Sequence, residues 1–281
     1  MKKVIALLLI FTLAFGLYGC SSDKPENNPD NSKPIENADQ GQNDNQDENS
    51  NPVELTISAA ASLTEAYGEI KEAYEAEKGV KLTLNFGASG TLQKQIEEGA
   101  EVDVFVSAGK KQMDALEEQD LIIKDTRENI YRNELALLVS EEYKDKIKSI
   151  NDLVGTDLKL SIGVPETVPV GQYAKDALGY LKIWDGLEAN IVYGKDVSQV
   201  LTYVEKGEVA AGIVFSSDSV RATQSYLAEI FPEETHTPIV YPAAVVASTK
   251  DKEASLEFLQ YLRTDKAKEI LEKYGFKIYT E

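Results

Sequence analysis

Short apolar runs alternate along the chain with longer segments whose apolar residues recur at helical spacing. The runs VELTIS at residues 53–58 and KLTLNF at residues 81–86 have the length and composition of strands. Between them, residues 62–79 place their apolar side chains on one face of a predicted helix. The alternation continues with DVFVSA and a helical pattern over residues 110–118. This rhythm predicts an α/β protein with mostly parallel sheets flanked by helices.

The apolar pattern also divides the folded part into two lobes. A new set of strands begins after Arg132 with LALLVS, and the run around Tyr241 is too long for one strand and contains a proline. A chain that leaves one lobe near Arg132 and returns near Tyr241 makes two crossovers. We therefore predict lobe I at residues 53–131 plus 240–281 and lobe II at residues 132–239. Because ligands of open α/β sheets lie at the carboxyl ends of strands, two facing lobes predict a binding cleft.

The N-terminal segment has the pattern of a lipoprotein signal at residues 1–20. Two lysines precede an apolar run at residues 4–15, which is too short to span a bilayer, and Cys20 follows closely. We expect a lipid on Cys20 that anchors the protein to the outer face of the cell membrane, or to its periplasmic side if there are two membranes. The alternative is a chance cysteine at the end of an ordinary signal peptide.

Residues 21–52 are rich in Asn, Asp, Glu, Gln, Ser and Pro, which predicts a disordered acidic tether.

The charge of the chain narrows its range of partners. It has 29 basic and 48 acidic residues, a formal net charge of −19. Nucleic acid is not expected as a partner, because neutralising phosphates requires clustered cations.

A zinc enzyme would need more ligands than one histidine, His236, and one cysteine provide. A serine hydrolase would need His236 beside a serine, and the sequence has no G-x-S-x-G motif.

Five predicted strand-to-helix junctions carry the candidate chemistry. They contain, in chain order, Ser62, Ser89, Val170, Val197 and Phe215. Each junction has a simpler explanation when it is considered alone: Ser62 fits a capping box, and the turn around Ser89 fits a tight turn with an N-cap. Together they offer backbone N–H groups and hydroxyls with few cations. Such a donor-only site suits a fully ionised oxyanion and rejects phosphate, which keeps a proton near neutral pH.

Other polar and aromatic residues near these junctions are interpreted as structural. We expect His236 at the surface, Trp184 in lobe packing, and Tyr241 in a crossover between the lobes. Glu166 and Asp196 are interpreted as a loop residue and a helix cap. None of them is predicted to bind a ligand.

Several motifs together resemble one known family, the molybdate-binding proteins of molybdate ABC importers. The motifs are AAASLTEAYGEI, FGASGTLQKQIEEGAEVDVFVSA, VPETVPVGQYAKDAL, GKDVSQVL, GIVFSSDSV, FPEETHTPIVYPAAVV and EKYGFKI. They run in the same order from Val53 to the C-terminus. The resemblance implies the two-lobed periplasmic-binding-protein fold and a tetrahedral oxyanion held in the cleft by uncharged groups.

The resemblance also assigns roles to the five junctions. It implies hydroxyl and backbone donors from Ser62 and Ser89, and backbone N–H donors from Val170 and Val197. The last motif usually ends in a tyrosine that touches the ligand, whereas this chain has Phe215 and lacks that hydroxyl.

The function implied by the resemblance is that of a binding protein and not of an enzyme. It would act as a monomer without a cofactor, capture molybdate or tungstate, and deliver the anion to the membrane permease. Molybdenum would be present only within the oxyanion and not as a bound metal cation. A binding protein for another oxyanion, such as sulfate, is the alternative.

Overall fold

The computed structural model describes residues 53–280, so the predicted signal, the tether and Cys20 lie outside the described residues. Within residues 53–280 the chain forms eleven strands and nine α-helices. The strands are β1 (Glu54–Ala60), β2 (Lys81–Gly87), β3 (Val104–Val106), β4 (Glu128–Arg132), β5 (Leu135–Ser140), β6 (Leu160–Gly163), β7 (Ile191–Gly194), β8 (Ala211–Phe215), β9 (Ser225–Ile230), β10 (Val240–Val245) and β11 (Lys277–Ile278). The α-helices are α1 (Thr64–Lys78), α2 (Ser89–Glu97), α3 (Lys110–Glu118), α4 (Pro169–Tyr180), α5 (Trp184–Leu187), α6 (Val197–Glu205), α7 (Ser216–Val220), α8 (Lys252–Tyr261) and α9 (Asp265–Lys273).

The strands form two sheets, which confirms the two-lobed α/β class. The first sheet has the order β11-β4-β10-β3-β1-β2, and the second has the order β7-β6-β8-β5-β9. The chain passes to the second sheet between Arg132 and Leu135 and returns between Ile230 and Val240. The exact lobe boundaries at residues 131/132 and 239/240 stay predictions.

Both sheets are mostly parallel in strand direction, as the sequence predicts, but each also contains antiparallel pairings. In the first sheet β1 runs parallel to β2 and β3, whereas β10 runs antiparallel to β3 and β4. In the second sheet β6 runs parallel to β7 and β8, whereas β5 runs antiparallel to β8 and β9. Both sheets are therefore mixed. The antiparallel strands β10 and β5 are the first strands after each passage between the sheets, and neither passage contains an α-helix.

The apolar runs are buried as their composition requires. All residues of β3, β5, β6, β8 and β10 are buried, and a continuous hydrophobic core contacts both sheets. The C-terminal helical segment is broken between α8 and α9, where Thr264 caps α9 by accepting a hydrogen bond from the Ala267 N–H at 3.3 Å. Among the described residues, none of the helices is both long and apolar enough to cross a bilayer.

Candidate oxyanion site between the sheets

One small cavity collects all five residues that the sequence analysis singles out. Ser62 follows β1, Ser89 begins α2, Val170 lies in the first turn of α4, Val197 begins α6 and Phe215 ends β8. The cavity is lined by Ala60, Ala61, Ser62, Gly87, Ala88, Ser89, Ala108, Val168, Pro169, Val170, Val197 and Phe215. Their role in binding stays a prediction.

The size and lining of this cavity restrict what it can hold. Its volume is about 10 Å³, which is close to the least space that one water molecule needs, so any larger guest requires the lining residues to move apart. The described lining residues carry no charged side chain. The helix starts at Ser89, Val170 and Val197 supply N–H groups that have no acceptor within their own helix, together with partial positive charge.

The Ser89 side chain is held as a donor towards the cavity. It is 1% exposed, and its Oγ accepts a hydrogen bond from the Ala108 N–H at 3.0 Å. Because a backbone N–H can only donate, the hydroxyl proton of Ser89 remains free for another acceptor. The next residue, Gly90, donates its N–H to the Thr167 carbonyl at 2.9 Å and so joins the two sides of the cavity.

Ser62 does not cap a helix, so the capping-box alternative is wrong. After β1 the chain makes a 3-10 turn over Ala61–Leu63, and α1 begins only at Thr64 without a side-chain cap. The extra turn places Ser62 inside that segment, and its Oγ lies 2.9 Å from the Tyr241 hydroxyl.

Tyr241 is the residue near the site that sequence reasoning misses. It lies in β10, is fully buried, and its hydroxyl also accepts from the Asn133 amide at 3.3 Å. Burial raises the pKa of Tyr241 well above its usual value, so the phenol stays protonated. The sequence gives no signal for this contact, because Tyr241 is 179 residues from Ser62 and lies within an apolar run.

Phe215 closes one side of the cavity without offering a hydroxyl. It is 1% exposed, and its ring packs against Tyr241 and Tyr173 at centroid distances of 5.7 and 6.3 Å. Its backbone N–H donates to the Asp218 carboxylate at 3.0 Å. Aromatic rings therefore surround the position where the resembled family has a tyrosine.

The partly buried cation Arg221 is paired outside the cavity lining. Arg221 donates to Asp218 at 2.7 Å, to Glu65 at 3.1 Å and to Ser198 at 3.2 Å. Burial raises the pKa of the Asp218 carboxyl above its usual value, although the pairing with Arg221 opposes this shift. Because Glu65 lies in α1 and Ser198 in α6, Arg221 also joins the two lobes.

The other residues interpreted as structural lie away from the cavity lining. Asp196 caps α6 by accepting from the Gln199 N–H at 2.8 Å, as expected. The His236 ring packs edge-on against Tyr173, and its Nδ1 lies 2.8 Å from the Thr237 carbonyl oxygen. The sequence predicts a surface position for His236, but its ring is partly buried.

Comparison with known proteins identifies the family. The family model described as bacterial extracellular solute-binding protein matches residues 55–277. The chain belongs to this family.

Individual members of the family confirm the resemblance to molybdate-binding proteins. The chain is 40% identical over 225 residues to the "Putative ABC transporter substrate-binding lipoprotein YvgL" of Bacillus subtilis, covering 80% of this chain and 86% of that one. It is 38% identical over 231 residues to the "Molybdate-binding protein ModA" of Haemophilus influenzae, covering 80% and 90%. A solved structure, the "substrate binding domain of putative molybdenum ABC transporter from Clostridium difficile", is 40% identical with a TM-score of 0.64, covering 81% of this chain and 100% of that chain. The chain is thus an extracellular solute-binding protein.

Proposed function

We propose that the protein captures molybdate in the cavity between its sheets and delivers it to the membrane permease of an ABC importer. The observation that carries the proposal is the cavity lining, in which serine hydroxyls and helix starts meet around a small, uncharged space. Relatives that are named as molybdate-binding proteins support the choice of ligand. Tungstate has nearly the same size and shape as molybdate, and we expect it to bind too.

The proposed contacts use donors alone. Ser62 and Ser89 would donate hydroxyl and backbone protons to the anion, and Val170 and Val197 would donate backbone N–H groups. The Phe215 ring would pack against the ligand without a hydrogen bond. Hydrogen phosphate carries a proton that would face another donor in such a site, which disfavours its binding. The ligand is the oxyanion itself, so no cofactor is needed.

Calorimetric titration of the purified full-length protein with four anions tests the proposal. We expect molybdate and tungstate to bind tightly and phosphate to bind least. Sulfate should bind more weakly than molybdate, because it is the smaller anion and donors placed for molybdate would make longer hydrogen bonds to it. A protein that gives neither heat nor a thermal shift with any of the four would refute the oxyanion site. Tight binding of sulfate with weak binding of molybdate would replace the ligand but keep the site.

We also propose that binding, and not catalysis, is the activity of this protein. Among the described residues, His236 is the only histidine, and its hydrogen bond is to a backbone carbonyl and not to a serine. The cavity lining therefore offers no nucleophile with an adjacent base. We expect a monomer to be sufficient, because one chain supplies all five proposed contacts.

The proposed location is the outer face of the cell membrane, with a lipid on Cys20 as the anchor. The Bacillus subtilis relative is named as a lipoprotein, which supports this assignment. Fractionation of cells that express Cys20→Ala tests it. We expect uncleaved precursor or protein released from the membrane, and a variant that still partitions with membranes and detergent as the unmodified protein does would contradict lipidation.

A further inference from the structure

A chain of three buried side chains lies behind the cavity and ends at Ser62. The Asn133 amide nitrogen lies 3.3 Å from the Tyr241 hydroxyl, and that hydroxyl lies 2.9 Å from Ser62 Oγ. Asn133 is 7% exposed, Tyr241 is 0% exposed and Ser62 is 5% exposed. Asn133 lies in the short passage from β4 to β5, and Tyr241 lies in the strand that follows the return passage. The chain therefore runs from the two connections between the lobes to the cavity.

The orientation of the Asn133 amide is fixed by its neighbours. Its Oδ1 accepts from the Glu134 N–H at 3.0 Å and from the Ser217 N–H at 3.3 Å. Backbone N–H groups can only donate, so the atom that faces them must be the amide oxygen. The amide nitrogen therefore faces Tyr241 and Ser217, whose oxygens lie at 3.3 and 2.8 Å.

This orientation sets the direction of the remaining hydrogen bonds. The Asn133 nitrogen donates to the Tyr241 oxygen, which leaves the phenol proton to find an acceptor elsewhere. In the described part of the chain, the other hydrogen-bond partner of the Tyr241 hydroxyl is Ser62 Oγ. If the phenol proton is donated to Ser62 Oγ, the Ser62 proton must point away from Tyr241. Ser62 lines the cavity and Tyr241 does not, so a guest in the cavity is an available acceptor for that proton.

We propose that Asn133 and Tyr241 form a one-way donor relay that fixes the Ser62 hydroxyl as a donor to the bound oxyanion. The inference rests on the proposed function and deepens it. In the relay, Tyr241 is a positioning residue that does not touch the ligand. Ser89 has the same arrangement with a single step, since the Ala108 N–H donates to its Oγ. Both serine hydroxyls of the cavity are thus oriented to donate to the ligand. An anion that carries a proton would face them with another donor, so the site selects fully ionised anions.

A double-mutant cycle on the full-length protein tests the relay. Molybdate affinity is measured by calorimetry for Tyr241→Phe, for Ser62→Ala and for the double variant. We expect Tyr241→Phe to weaken binding about three- to ten-fold and Ser62→Ala to weaken it about ten-fold or more. We expect the double variant to bind as Ser62→Ala does, within about two-fold, because Tyr241 acts through Ser62.

A matched control separates the relay from the loss of any buried phenol. The Tyr131 hydroxyl is also buried and lies 3.2 Å from the Tyr67 hydroxyl, with no hydrogen bond to Ser62 among the described contacts. We expect Tyr131→Phe to change molybdate affinity by less than about two-fold. Equal losses from Tyr241→Phe with and without Ser62 would overturn the relay, as would equal losses from Tyr241→Phe and Tyr131→Phe.

A second variant keeps the test decisive if Tyr241→Phe does not fold. Asn133→Asp keeps the size of the side chain but replaces the donor with an acceptor, which would draw the phenol proton away from Ser62. We expect molybdate affinity to fall more than phosphate affinity, so that the preference for molybdate shrinks by about ten-fold. A fall of both affinities by the same factor would overturn the relay. An unmodified protein that binds no oxyanion would overturn the proposed function itself, whereas normal binding with an additive cycle would overturn the relay alone.

Discussion

Replacing Ser89 by alanine would remove one hydroxyl that takes part in two separate hydrogen bonds. Its Oγ accepts from the buried Ala108 N–H at 3.0 Å, and its proton would be donated to the bound anion. A hydrogen bond to a charged group contributes about 1.5–3 kcal/mol, so Ser89→Ala should weaken molybdate binding by about 10- to 150-fold. The Ala108 N–H would lose its partner, which should lower the free energy of unfolding by about 1–3 kcal/mol. Binding should not vanish, because the backbone N–H at the start of α2 remains.

Ser161→Ala is the matched control for this change. Ser161 is fully buried, and its Oγ donates to the Val192 carbonyl at 2.9 Å within the second sheet, away from the cavity lining. It should lower the stability by about 1–3 kcal/mol while it leaves molybdate affinity within about two-fold of the unmodified protein. The affinities come from calorimetry and the stabilities from denaturant unfolding without ligand. The reasoning fails if Ser89→Ala keeps the full affinity, or if both variants lose affinity by the same factor.

Three further changes probe the lobe contact, the ring at the site and a carboxylate outside it. A Cβ at Gly90 would lie 2.6 Å from the Thr167 carbonyl oxygen, so Gly90→Ala should hold the lobes apart. With saturating molybdate, small-angle scattering should give this variant a larger radius of gyration than the control Gly68→Ala, whose Cβ would meet nothing within 4 Å. Equal radii for the two variants would contradict the prediction. Phe215→Tyr should tighten molybdate binding in calorimetry by about ten-fold or less, because a donor gained near an already satisfied anion adds little, and a loss of more than ten-fold would show that the pocket cannot accept the oxygen. Partial burial raises the pKa of Glu205, but hydrogen bonds from Ser225, Thr223 and Gln224 together lower it by more, so the pKa of Glu205 lies below its usual value. The ionised carboxylate therefore stabilises the fold above its unfolded-state pKa, and this contribution is lost as the pH falls through the lower folded-state pKa. In denaturant unfolding, Glu205→Gln should be less stable than the unmodified protein by about 1–3 kcal/mol at neutral pH, and the difference should shrink in acid. A difference that does not change with pH would contradict the lowered pKa of Glu205.

The parts of the fold that depend on neighbouring residues could be predicted from the sequence. The five strand-to-helix junctions are local patterns, in which an apolar run stops at small or polar residues and a helical spacing begins. The break between α8 and α9 is local too, since Thr264, the N-cap of α9, lies three residues after the end of α8 at Tyr261. Parallel strands bring their carboxyl ends to one edge, so correct junctions are enough to predict that Ser62 and Ser89 lie close together.

The parts that depend on distant residues could not be predicted. The sequence around Ser62 has the spacing of a capping box, but the 3-10 turn at Ala61–Leu63 moves the helix start to Thr64. The contact of Ser62 with Tyr241 joins segments that are 179 residues apart, and nothing near either residue signals it. The antiparallel direction of β10 likewise depends on where the chain re-enters the first sheet and not on the composition of that strand.

The uncharged lining of the cavity has a consequence for the speed of capture. The chain has a net charge of −19, and in its described part the cavity presents no cation to offset this at the point of entry. A dianion that approaches is therefore repelled at long range, and dissolved salt screens this repulsion. The association rate should rise with ionic strength, which is the opposite of the behaviour of sites that steer anions with lysine or arginine. The dissociation rate depends on short hydrogen bonds inside a closed space, so salt should leave it nearly unchanged, and the protein should retain its ligand equally well in dilute and in saline surroundings.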